Sequence, residues 1–131
     1  MYRPLIKLGD PRANQIRCTP DLFESCILWD KFPLGFYITS LYPREECFYE
    51  ALDAMFDEVD RIHLLFRYCS PQPKVELYLI KRGYIRYVDP AGAPFYTNAP
   101  IPASCAKVPR TEEQKAQLAQ RAGLADSESA V

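Results

Sequence analysis

An α+β fold is what this sequence predicts: an antiparallel sheet of four to six short strands, one long central amphipathic helix across it, and a minor C-terminal helix. Three observations predict it. The 25-residue stretch from Arg44 to Tyr68 has no Gly or Pro and carries apolar residues at helical spacing. Apolar, β-prone runs lie on both sides of that stretch. Twelve prolines among 131 residues favour short elements joined by loops over a helical bundle. A chain of this length buries roughly two thirds of its unfolded surface, enough for one core. A single α+β domain is therefore expected over residues 1–125, with a polar tail at 126–131.

The elements before the helix are short. Leu5, Ile6 and Leu8 mark an edge strand within Met1 to Asp10, and Gln15 to Thr19 marks another before a turn at Pro20 and Asp21. Ser25 to Trp29 and Gly35 to Thr39 read as paired strands joined by the loop Asp30-Lys31-Phe32-Pro33.

In the helix itself, Phe48, Leu52, Met55, Phe56, Val59, Ile62 and Phe66 recur mostly at steps of three and four, which is one helical face. Glu46, Glu50, Asp53, Asp57 and Asp60 form a second line, about 150° from the first at roughly 100° per residue. Pro43 is read as part of the first turn, with Glu45 and Glu46 in the positive field of the helix N-terminus. Ser70-Pro71-Gln72-Pro73 stops the helix, giving a rod of roughly 37 Å at 1.5 Å per residue.

Beyond the helix, Lys74 to Ile80 alternates, Lys81-Arg82-Gly83 reads as a tight turn, and Tyr84 to Val88 as the returning strand of a hairpin. A turn at Asp89-Pro90-Ala91-Gly92 leads to a third strand at Phe95 to Thr97. Asn98 to Arg110, with Pro100, Pro102 and Pro109, reads as an extended surface segment. Thr111 and Gln114 have capping-box spacing, and Gly123 is a natural stop for the last helix. Its apolar face is only Ala116, Leu118, Ala119 and Ala122, so it is expected to dock lightly.

Charge is unevenly spread. The net charge is −1, but residues 44–68 hold seven acids against three bases. A nearly neutral chain has no general attraction for nucleic acid or anionic membranes. The first residues lack the charged-then-apolar pattern of a signal segment, and no apolar run approaches the ~20 residues of a membrane span. A cytoplasmic protein without membrane association is the expectation. Cys18, Cys26, Cys47, Cys69 and Cys105 are widely spaced with no CxxC, which argues against a disulfide framework or zinc knuckle and for reduced, packed thiols.

No Walker A loop, G-x-G-x-x-G or G-x-S-x-G motif occurs. His63 is the single histidine, so a lone Cys/His pair is the one nucleophilic arrangement left. No catalytic residue, metal ligand or cofactor is assigned.

Two surfaces remain. The acidic line contains like charges four apart, Glu46 with Glu50 and Asp53 with Asp57, so it is not optimised for the isolated helix. It points to a small non-enzymatic protein-binding module acting stoichiometrically, its acidic face docked on a basic partner surface. Inhibitors or regulators of the immunity or phage anti-defence type, viral proteins among them, match that description by analogy of type. The alternative is a single-stranded nucleic-acid-binding module using Tyr78, Lys81, Arg82, Tyr84 and Arg86, since aromatics stack on bases and cations follow phosphates. Arg82-Gly83-Tyr84 begins an RNA-recognition pattern, which Ile85 and Arg86 then break. A cysteine-dependent enzyme is the third reading. Trp29, Phe32, Phe36 and Tyr37 are read mostly as core, with a homodimer or partner interface as the alternative for some of them.

Overall fold

A computed structural model of the chain describes residues 21–29, 35–61, 65–98 and 104–123. The strands expected at Met1–Asp10 and Gln15–Thr19, the loop from Asp30 to Pro33, His63 and the tail at 126–131 lie outside them. The fold is α+β, with six strands, mostly antiparallel, and three α-helices among the described residues. The chain divides into two compact units, Met1–Tyr68 and Cys69–Val131.

In the first unit, β1 (Phe23–Trp29) runs antiparallel to β2 (Gly35–Pro43), with Phe23 opposite Pro43 and Trp29 opposite Tyr37. These are the two runs expected to pair, although β2 extends four residues beyond Thr39. The Ser25 and Ser40 hydroxyls share a 2.6 Å hydrogen bond across the pair.

The helix differs from expectation at both ends. Pro43 closes β2 and does not begin a helix; Arg44 is extended, and a 3-10 turn at Glu45–Cys47 leads into α1 (Phe48–Arg61). Arg44 N–H donates to Leu22 O at 2.8 Å, which ties this corner to the turn before β1. At the far end Leu65–Tyr68 is not helix but strand β3, parallel to β2 with Gly35 opposite Leu65 and Ile38 opposite Tyr68. The helix therefore has 14 residues and spans about 21 Å, not 37 Å.

The reason lies in Phe66. Helical spacing extends the apolar stripe to it, but it reaches the same core from a strand whose burial alternates, with Phe66 and Tyr68 inward. Its ring meets that of Phe56 edge-on, centroids 5.4 Å apart. A parallel pair needs a crossover of about a dozen residues or more, and α1 supplies it between β2 and β3. Ala51, Leu52, Met55, Phe56 and Val59 are fully buried on its inner face.

The second unit departs further. The alternating run after Pro73 is not a strand: α2 (Pro73–Arg82) is helical, so the expected hairpin is absent. Pro73 sits in its first turn, and Gly83, at φ 102°, closes it. Gly83 N–H donates to Ile80 O at 3.0 Å and Tyr84 N–H to Leu79 O at 3.1 Å, the two bonds of a Schellman motif. Lys81-Arg82-Gly83 is thus a helix terminus, and the residues pointing inward are Val75, Glu76 and Leu79.

The following hairpin is as expected. β4 (Ile85–Val88) pairs antiparallel with β5 (Pro94–Thr97), Ile85 opposite Thr97. Asp89 organises the turn, its Oδ1 accepting from Ala91 N–H at 3.0 Å and Ala93 N–H at 2.9 Å. The described part of the proline-rich segment contains β6 (Ala106–Lys107), antiparallel to β4 on its other side. α3 (Glu112–Arg121) carries the expected capping box between Thr111 and Gln114. It lies against α2 and buries Leu118 and Ala119, the modest contact its sequence allows.

One cysteine reading changes as well. Cys47, Cys69 and Cys105 are free thiols, but Cys26 is disulfide-bonded. Linear spacing does not report the Cα separation that decides disulfide formation.

Candidate functional site

Glu46, in the 3-10 turn, and Glu50, Asp53, Asp57 and Asp60, on α1, are all exposed. The helix buries Phe48, Leu52, Met55, Phe56 and Val59 on its other side, so the carboxylates hold the outward face because the sheet claims the inward one. Tyr49 flanks them half exposed, its ring edge-on to Phe48 at 5.1 Å. Near the end of the line, Arg61 donates from Nε to Glu58 at 3.1 Å and also from Nη2, and that hydrogen bond raises its pKa.

The carboxylates also act on Cys47. This half-buried thiol has its pKa raised by lost hydration and then by the charges of Glu46, Glu50 and Asp21, with Arg44 opposing. A raised pKa means less thiolate near neutral pH, the reverse of what a cysteine nucleophile requires.

The residues of the second predicted surface fall on different elements. Tyr78, Lys81 and Arg82 are on α2, Tyr84 follows its cap, and Arg86 is on β4. Arg82 Nη1 donates to the Tyr78 hydroxyl at 2.9 Å, one turn away. Tyr87 stacks on Phe95, centroids 6.1 Å apart. The strand face on which Tyr78 was expected does not form, because residues 73–82 are helical.

A cleft in the second unit was not foreseen. It is lined by Ser70 to Pro73 before and at the start of α2, Glu76 of α2, Arg86 of β4, Pro94 to Tyr96 of β5, Arg110, and Leu118 and Arg121 of α3. At its base Glu76, only 4% exposed, accepts three hydrogen bonds. The Tyr96 hydroxyl donates to Oε2 at 2.6 Å; Arg110 donates from Nε to Oε2 at 2.7 Å and from Nη2 to Oε1 at 3.3 Å. Bidentate pairing fixes the guanidinium plane as well as the charge.

Burial raises the Tyr96 pKa and the bond to Glu76 raises it further, against the opposing charges of Arg110 and Arg86, so its hydroxyl remains a donor. The Arg110 pKa is raised chiefly by its hydrogen bond to Glu76. Arg86, opposite Tyr96 in the β4/β5 register, is held by a 3.0 Å bond from Nη1 to Val108 O.

Reading Lys74 to Ile80 as a strand placed Glu76 away from its apolar neighbours and hid this group. The missed signal was the pair of helix-end residues, Pro73 and Gly83, which place Glu76 beside Val75 and Leu79. Arg110 carried no local signal, since its partner lies 34 residues back.

Among the described residues no His, Cys, Asp or Glu cluster could hold a metal ion, and no helix is long and apolar enough to cross a membrane. No protein-family model, curated protein or solved structure matches this chain.

Proposed function

We propose that this chain is a small non-enzymatic protein-binding module, an inhibitor or regulator that acts stoichiometrically by docking the acidic face of α1 on a basic partner surface. One observation carries the reading. Glu46, Glu50, Asp53, Asp57 and Asp60 are exposed along one side of the helix while its opposite side is fully used by the core. Such a face supplies orientation and association rate toward a positive surface. Tyr49 at its flank, 50% exposed, is an aromatic of the kind that becomes an interface anchor. An immunity or anti-defence protein, viral or otherwise, would use a face of this kind.

The test compares wild type with a variant carrying Glu46→Gln, Glu50→Gln, Asp53→Asn, Asp57→Asn and Asp60→Asn, both shown by circular dichroism to fold. Each is used to capture partners from host lysate, which are identified by mass spectrometry. A basic protein held by wild type, released by salt and lost from the variant supports the reading. Capture of the same protein by both would place the interface elsewhere and overturn it.

A further inference from the structure

The cleft of the second unit has a volume of about 340 Å³, within the ~300–1,000 Å³ range of small-molecule sites. Its walls are of two kinds. Pro71, Pro73 and Pro94 are apolar and reach solvent, whereas Arg86, Arg110 and Arg121 set three cationic side chains against the single carboxylate of Glu76. That carboxylate is already engaged by Arg110 and the Tyr96 hydroxyl, so it offers little repulsion to an incoming anion.

Arg86 and Arg121 are differently placed. Neither has a carboxylate partner among the described residues. Arg86 spends one N–H on Val108 O and keeps the rest of a five-donor fork, with its orientation already fixed. A guanidinium held in this way suits the planar, bidentate recognition of carboxylate or phosphate oxygens. The cationic and apolar walls enclose one space, so a ligand satisfying both has a charged end and an apolar body.

We propose that this cleft is a binding site for a small organic oxyanion, a carboxylate or phosphate monoester, bound by Arg86 and Arg121 with its apolar body against Pro71, Pro73 and Pro94. Arg110 is a positioning residue whose guanidinium the buried Glu76 holds at the base of the site. This ligand site belongs to the second unit and does not depend on the acidic face of α1.

The test titrates the full chain by calorimetry with phenyl phosphate, benzoate and inorganic phosphate in a buffer free of competing oxyanions. Arg121→Gln alters an exposed side chain on α3, so it keeps the fold; Arg86→Gln is accepted once its thermal unfolding matches wild type. Lys115→Gln, on α3 but outside the cleft lining, is the control for general charge.

Saturable binding of phenyl phosphate or benzoate, weakened about tenfold in Arg121→Gln and unchanged in Lys115→Gln, is expected from losing one charge-assisted contact. Inorganic phosphate is expected to bind more weakly than phenyl phosphate, and binding as tight would overturn the organic ligand. No saturable binding by any probe, or equal weakening in all variants, would overturn the site.

Discussion

Glu76 is the residue on which the second unit most depends. Its side chain is 6% exposed and its carboxylate serves two donor residues, so its removal leaves the Arg110 guanidinium and the Tyr96 hydroxyl with nothing to receive them. Breaking a buried pair on one side costs about 3–5 kcal/mol, and Arg110, with its side chain 24% exposed, recovers some hydration. Glu76→Ala is therefore expected to destabilise the chain by about 3 kcal/mol in urea unfolding, at the lower end of that range. A loss under ~1 kcal/mol would mean that the pair is no better than a surface one. Cys47 gives a second expectation at this scale. Its Sγ lies 3.8 Å from both Asp21 O and Leu22 O, and its pKa is raised, whereas Cys69 is exposed. At neutral pH Cys69 is expected to alkylate before Cys47 when peptide masses are followed over time. The opposite order would return a cysteine-dependent enzyme to consideration.

At the scale of elements, the sequence was most legible where burial and local preference agree. β1 and β2 are β-prone and paired, α1 has a full apolar face, and Asp89 and Thr111 carry side chains that organise their own turn and cap. It misled where two periods fit the same letters. Val75 and Leu79 satisfy both alternation and a four-residue step, while Phe66 extends a helical stripe that the chain had already left. End signals decide such cases better than periodicity does. Gly83 shows why: at φ 102° a side chain is strained although nothing lies within 4 Å of its ideal Cβ position. Gly83→Ala is accordingly expected to cost about 1–2 kcal/mol from conformation alone. Gly123, at φ 77° beyond the last turn of α3, is the matching comparison with equally open space. Its substitution by Ala should cost less in global unfolding, because α3 buries only Leu118 and Ala119. If the two variants unfold alike, the cap of α2 has no special weight.

Across the whole molecule, the phenols give the clearest dependence on solution conditions. Burial raises the pKa of Tyr68 in the first unit, with a smaller contribution from Tyr42, and Tyr96 in the second is raised by burial and Glu76. Unfolded tyrosines ionise near their ordinary value of 10.0, while the folded chain keeps both protonated above it. Below that value both states hold the proton, and these residues add no pH dependence. Above it the unfolded state binds fewer protons than the native state, so stability falls as pH rises. The urea midpoint is thus expected to be insensitive to these groups up to about pH 9 and to fall beyond about pH 10. Lysines also titrate in that range, so the comparison that isolates the effect is Tyr68→Phe, which keeps the ring and removes the proton. Its alkaline loss should be shallower than that of wild type, with a smaller step in tyrosinate absorbance at unfolding. Parallel curves would mean that Tyr68 ionises in place, and that the closely packed core around Phe66 and Tyr68 admits water or a counter-charge.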